Sequence, residues 1–202
     1  MSDALDNILE HKVLAIFRCG SSLYGLDTPE SDHDYMAILE GYDSASTYKT
    51  EDTDYFVFGK ESYKKVLNQE NGVLDYFKVW ADVSTIAKTD IKFLDPDFEK
   101  EFDEIIKVDW NKNVWKWLKL NVGYFGFRLK IDCTEKTLYN IYKLDSIMER
   151  FLKDGVFISH FSEANLAYAY DFKVNESGRA FHKERLEAII HKLEALLKEA
   201  PL

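Results

Sequence analysis

Cys19-Gly20-Ser21-Ser22-Leu23-Tyr24-Gly25-Leu26-Asp27-Thr28-Pro29-Glu30-Ser31-Asp32-His33-Asp34-Tyr35 lies between two apolar runs, Val13-Leu14-Ala15-Ile16-Phe17 before it and Tyr35-Met36-Ala37-Ile38-Leu39 after it. Short apolar runs bounded by turn formers read as buried strands. The segment is therefore a strand, a small turn at Gly20-Ser21, and a second strand entered through two aspartates. Side chains alternate along a strand, which sends Asp32 and Asp34 to one face and His33 to the other. Two like charges held side by side repel, and a divalent cation that prefers oxygen ligands, such as Mg2+, removes the repulsion. The pattern points to a metal-dependent phosphate site. A capped turn is the competing reading of Ser31-Asp32-x-Asp34 after Thr28-Pro29; a strand on either side and Gly20-Ser21 upstream weigh against it.

The chain has 202 residues, of which 46% are hydrophobic and 15% aromatic, ample for a packed core of one large or two small domains. A formal net charge of −10 argues against a protein that coats nucleic acid by bulk electrostatics and leaves room for a local basic groove. Cys19 and Cys133 are far apart and lack any CxxC context, so they form neither a disulfide framework nor a zinc signature. They read as thiols in a reducing compartment. Met1 to Asp6 lacks the basic and apolar regions of a signal peptide, and no apolar run approaches the roughly 20 residues of a membrane span. The expectation is a cytoplasmic protein with no membrane contact.

Asp6 to Lys12 reads as a short leading helix. Glu40 to Asp54 is polar and without helical periodicity, hence a loop or excursion. Asp54-Tyr55-Phe56-Val57-Phe58 reads as a third strand ended by Gly59, Lys60 to Asn68 as an amphipathic helix, and Val73 to Trp80 as renewed apolar structure. From about residue 98 the pattern is helical. One helix covers Asp109 to Phe125, with Val114, Trp117, Leu118 and Val122 on one face and Lys112, Lys116 and Lys119 together on one side. From Lys107 to Lys130 six basic residues stand against one acid, Asp109, a local inversion in an acidic chain. As a solvated face this needs no ligand; as a functional face it offers lysines to phosphates and Trp115, Tyr124 or Phe127 for stacking. Thr134-Glu135-Lys136 opens a helix through Leu152 with Gly155 just past its end. Further helices cover Glu163 to Phe172 and Lys183 to Lys198, the last with a Leu/Ile stripe suited to packing or a dimer contact. The expected class is α+β: a small mixed sheet flanked by helices in residues 1–95, followed by an all-helical part in residues 96–202.

Gly20-Ser21 followed by Asp32-His33-Asp34 after a strand resembles the signature of the DNA polymerase beta-like nucleotidyltransferase superfamily. The longer string, with Ser22-Leu23-Tyr24-Gly25, Thr28-Pro29 and Ser31, is similar to one branch, the bacterial and phage predicted nucleotidyltransferases associated with RNA repair. Asp54 with Phe58 to Leu67 and Val73-Leu74-Asp75 is similar to later stretches of that branch, as are Lys136, Tyr139 and Lys143 to its C-terminal helix. The glycine-serine and Asp-x-Asp part is the specific portion.

The resemblance implies that Asp32 and Asp34 hold Mg2+, with Mn2+ as a substitute, on a nucleoside triphosphate. It implies that Gly20, Ser21 and Ser22 meet the phosphates, although Ser22 stands where relatives usually carry a basic residue. A third carboxylate completes the metal set. The resemblance assigns it to Asp54, with Asp52 offering the same face two positions earlier. Lys136, Tyr139 and Lys143 are implied on the nucleotide side, the two lysines seven apart on one helix face. The implied activity is transfer of a nucleoside monophosphate from NTP to an acceptor hydroxyl with release of pyrophosphate, the acceptor being an RNA or tRNA end. The alternatives are a non-catalytic nucleotide or RNA-end binding module of the same fold, and a transferase acting on a protein or small molecule. Both monomer and homodimer suit the sequence.

Overall fold

The structure is a computed structural model that describes residues 10–24, 26, 31–50, 52–67, 90–106, 110–131, 134–155, 157, 161–174 and 179–200. The expected leading helix and the apolar stretch Val73 to Trp80 lie outside them, apart from residues 10–12. Contacts divide the chain into two compact units, Met1–Val108 and Asp109–Leu202. The class is α+β, with five strands and six α-helices among the described residues.

The first unit is built on a five-stranded sheet. Its strands are β1 (Val13–Cys19), β2 (His33–Leu39), β3 (Ala45–Lys49), β4 (Thr53–Gly59) and β5 (Ile91–Leu94), in the spatial order β3-β4-β2-β1-β5. A short 3-10 turn, Gly20–Tyr24, follows β1. β2 and β4 are parallel; the other pairs are antiparallel. Parallel neighbours need a return limb, and β3 is that limb. It occupies the polar stretch expected to be a loop. Its side chains are mostly exposed at the sheet edge, so no apolar alternation marks it.

Pairing sorts the side chains onto two faces. Phe17 opposes Met36, Ala15 opposes Ile38, and Ile38 lies beside Phe58, all buried. Two helices cover this face, α1 (Lys60–Leu67) and α2 (Glu99–Ile106). Tyr63 of α1 meets Phe17 and Phe58 at ring separations of 6.3 and 5.7 Å, and Phe102 of α2 meets Phe17 at 5.7 Å. Glu101 of α2 accepts Lys60 at 3.3 Å and Lys64 at 2.5 Å, which ties the two helices together. α2 thus belongs with the sheet. On the other face Ala37, Leu39 and Val57 form a smaller core with Val13, Ile16, Tyr42 and Tyr55.

Gly59 ends β4 where the β2–β3 connection crosses it. Its N–H donates to Ser44 O at 3.0 Å. A Cβ there would overlap Tyr42 O and lie 2.5 Å from Tyr42 C, both backbone atoms.

The second unit is helical: α3 (Trp110–Ile131), α4 (Glu135–Asp154), α5 (Glu163–Val174) and α6 (Arg179–Glu199). Thr134 caps α4 by accepting the Thr137 N–H at 3.4 Å, and Gly155 closes it at φ 68° with its N–H on Phe151 O at 2.9 Å. Val114, Trp117, Leu118 and Val122 of α3, and Leu186, Ile189, Ile190 and Leu193 of α6, are buried. The terminal Leu/Ile stripe therefore packs within this unit.

Substituting Gly59→Ala is expected to lower unfolding free energy by at least about 3 kcal/mol, because backbone rather than a flexible side chain must move aside. Urea unfolding followed by circular dichroism measures this, and a loss below about 1 kcal/mol would contradict the crossing.

Candidate active site

The apolar pairing behind the acids fixes where they fall. With Phe17 opposite Met36 and Ile38 beside Phe58, the same register puts Cys19 opposite Asp34 and Asp34 beside Asp54. Opposed residues on neighbouring strands present their side chains to one face. Cys19, Asp34 and Asp54 thus form one rung across β1, β2 and β4, at the end of the sheet where the Gly20–Tyr24 turn begins. Asp32 precedes β2 by one residue and is exposed, as is His33.

Gly20 backs directly onto Asp34. It sits at φ +78°, a conformation L side chains rarely adopt, and a Cβ on it would overlap Asp34 Oδ2 and lie 2.6 Å from Asp34 Cγ. Only a glycine lets the backbone turn so close to the carboxylate. Ser21, next in the turn, is half-buried, and its carbonyl accepts the Leu26 N–H at 3.2 Å. The side chain of Ser22 lies outside the described residues.

Asp54 and Asp52 have different surroundings. Asp54 is buried on β4, its side chain 12% exposed, and forms an ion pair with Lys49. Asp52 is exposed in the β3–β4 turn, where its carboxylate accepts the Thr53 and Thr50 hydroxyls at 3.0 and 3.3 Å. Its carbonyl accepts the His33 N–H at 2.8 Å. Asp52 therefore shapes the turn, and Asp54 stands on the Asp34 rung.

Lys49 is a member of this cluster that the sequence reading did not single out. It lies opposite Asp54 in the β3–β4 pair. Bonding to Asp54 comes first among the causes that raise its pKa, and the fields of Asp54, Asp32 and Asp34 add to it against a smaller desolvation effect. All three acids act on one ammonium. The available signal was a lysine five residues before an aspartate across a short turn, which is informative only once β3 is known to be a strand.

The two acids of the rung, Asp34 and Asp54, offer the carboxylate oxygens that a hard divalent cation prefers. Among the described residues no three His, Cys, Asp or Glu side chains are already gathered closely enough to hold an ion. Lys49 supplies the positive charge at Asp54 instead.

The other residues named from the sequence lie in the second unit. The side chain of Lys136 is outside the described residues, Tyr139 is half-buried, and Lys143 is 3% exposed within α4. Lys143 is enclosed in a helix buried on all sides from Ile141 to Met148. Several polar groups nearby are paired within this unit. Tyr142 Oη pairs with His182 Nδ1 at 2.9 Å, and His182 Nε2 with Asp171 at 3.2 Å. Asp145 accepts Lys192 at 2.7 Å and Asn165 at 3.1 Å. Burial pushes the Tyr142 phenol up to about 12. On α3, by contrast, Lys116, Lys119 and Lys130 are exposed together with Tyr124 and Phe127, the latter at 61%.

No protein-family model and no curated protein matches the chain. Among solved structures it is similar to a nucleotidyltransferase-like protein from Exiguobacterium sibiricum 255-15. That likeness has 12% identity and a TM-score of 0.35, and covers 98% of this chain and 73% of the other. Among the described residues no helix is long and apolar enough to cross a membrane.

Gly20→Ala should displace the Asp34 carboxylate and cost about 2–4 kcal/mol, from positive-φ strain and overlap together. Thermal unfolding of the variant beside wild type measures it, and an unchanged melting temperature would contradict the close approach of Gly20 to Asp34.

Proposed function

We propose that the first unit is the catalytic part of a metal-dependent nucleotidyltransferase, which moves a nucleoside monophosphate from NTP to an acceptor hydroxyl. The observation that carries this reading is the in-register pair Asp34 and Asp54 on parallel strands, with Gly20 turned against Asp34. Two carboxylates placed side by side favour a cation between them, and the glycine lets the turn close directly onto Asp34.

Asp32, Asp34 and Asp54 are the residues that would hold Mg2+, with Mn2+ as a substitute. When bound, such an ion neutralises charge on the phosphates and on the entering and leaving oxygens. Asp54 sits farthest inside the cluster and accepts the proton of the acceptor hydroxyl as its oxygen bonds to the α-phosphorus. The bond from that phosphorus to the bridging oxygen breaks, and pyrophosphate leaves with the electron pair. Ser21, half-buried beside Gly20, offers its hydroxyl to a phosphate oxygen. The chemistry demands little beyond position and charge, which a rigid sheet end provides.

For the acceptor, an RNA or tRNA end is supported by side-chain chemistry alone: the exposed lysines of α3 suit phosphates and its exposed rings suit bases. The net charge of −10 suits a protein or small-molecule acceptor as well. A non-catalytic nucleotide-binding module is favoured by one observation, the ion pair that already engages Asp54.

Incubation with each α-labelled NTP and Mg2+, against RNA, tRNA, protein and small-molecule hydroxyl acceptors, separates these readings. Transfer should fall at least about 100-fold in Asp34→Ala and in Asp54→Ala and stay within about threefold in Asp52→Ala. Transfer that survives Asp34→Ala would overturn the assignment. Metal-dependent NTP binding without transfer to any acceptor would establish the non-catalytic module.

A further inference from the structure

We propose that Lys49 is a resident counter-cation of the acid cluster, holding Asp54 against free divalent metal and passing to the triphosphate when metal arrives with nucleotide. This rests on the nucleotidyltransferase reading and adds to it a device that distinguishes metal–nucleotide from metal alone.

Three observations carry it. First, the contact is built into the fold. Lys49 and Asp54 are directly paired across β3 and β4, and Asp54 is paired with Asp34 across β4 and β2, so the ammonium reaches the rung where the cation is required. Secondly, the two partners are unequally solvated. The Asp54 side chain is 12% exposed, whereas that of Lys49 is 66% exposed. A largely desolvated carboxylate needs a partner, but an ammonium in water does not, so the lysine leaves at little cost to itself. Thirdly, the interaction is not shared. Among the described residues Asp54 is the one carboxylate that Lys49 bonds, while Asp32 and Asp34 act on it through space. Among the described residues no second acid keeps it in place.

Exchange follows from charge. A free divalent ion must displace the ammonium from Asp54 and leave it beside a cationic centre, which is unfavourable. An ion that arrives on a triphosphate brings several negative oxygens, and the displaced ammonium on its flexible stem has a new partner within reach. Lys49 is then a positioning residue for Asp54 in the empty site and a phosphate contact in the filled one.

The test is Mn2+ binding to the full chain, followed by electron paramagnetic resonance of the free ion, for wild type, Lys49→Gln and Lys49→Arg. Each is titrated without nucleotide and with a non-hydrolysable NTP analogue. Lys49 is on the exposed edge strand, so the substitutions spare the core. Without nucleotide, Lys49→Gln should bind Mn2+ roughly tenfold more tightly than wild type, and Lys49→Arg should match wild type because it keeps the charge. With the analogue the order should invert, Lys49→Gln binding the metal–nucleotide more weakly. Equal Mn2+ affinities of wild type and Lys49→Gln without nucleotide would overturn the proposal while leaving nucleotidyl transfer standing. Failure of all three proteins to take up Mn2+ even with the analogue would overturn the nucleotidyltransferase reading itself.

Discussion

Parallel pairing of β2 with β4 sets two aspartates side by side, and most of the first unit is arranged around that constraint. Asp34 and Asp54 share a rung, and like charges directly opposed across strands destabilise a sheet. Three features accommodate them. The rung is at the end of the strands, Gly20 curves the chain against one acid, and Lys49 pairs with the other.

The register that creates the rung is fixed by apolar packing a few residues away. A slip of one residue would send Met36 and Ile38, or Phe58, to the opposite face and strip the Tyr63 and Phe102 contacts from Phe17. The core thus positions the acids without touching them. Tyr63 shows how far packing dominates there: its buried hydroxyl has no hydrogen-bond partner among the described residues, and burial raises its pKa well above the usual phenol value. The ring holds the helix to the sheet despite that unsatisfied group.

Much of this was legible in the residues. Both strands around the glycine turn, the Thr134 and Gly155 ends of α4 and the apolar stripe of α6 follow from local periodicity and capping chemistry. What stayed hidden depends on pairing between strands. β3 escaped notice because an exposed edge strand carries no apolar alternation, and with it went the hairpin that places Lys49 opposite Asp54. The choice between Asp54 and Asp52 could not be made locally, since both suit strand alternation; pairing puts one on the Asp34 rung and the other in a turn. The burial of Lys143 stayed hidden for the converse reason. Seven-residue spacing with Lys136 marks one helix face, but α4 is buried on all sides from Ile141 to Met148, so a shared face there does not imply access to solvent.

In the proposed function, metal and triphosphate meet at the Asp34–Asp54 rung. A crystal structure of the protein with Mn2+ and a non-hydrolysable NTP analogue, with data collected at the manganese edge, locates the ion. An anomalous peak bonded to oxygens of both Asp34 and Asp54 and to the triphosphate is expected. A well-ordered nucleotide whose metal lies away from both carboxylates would contradict it.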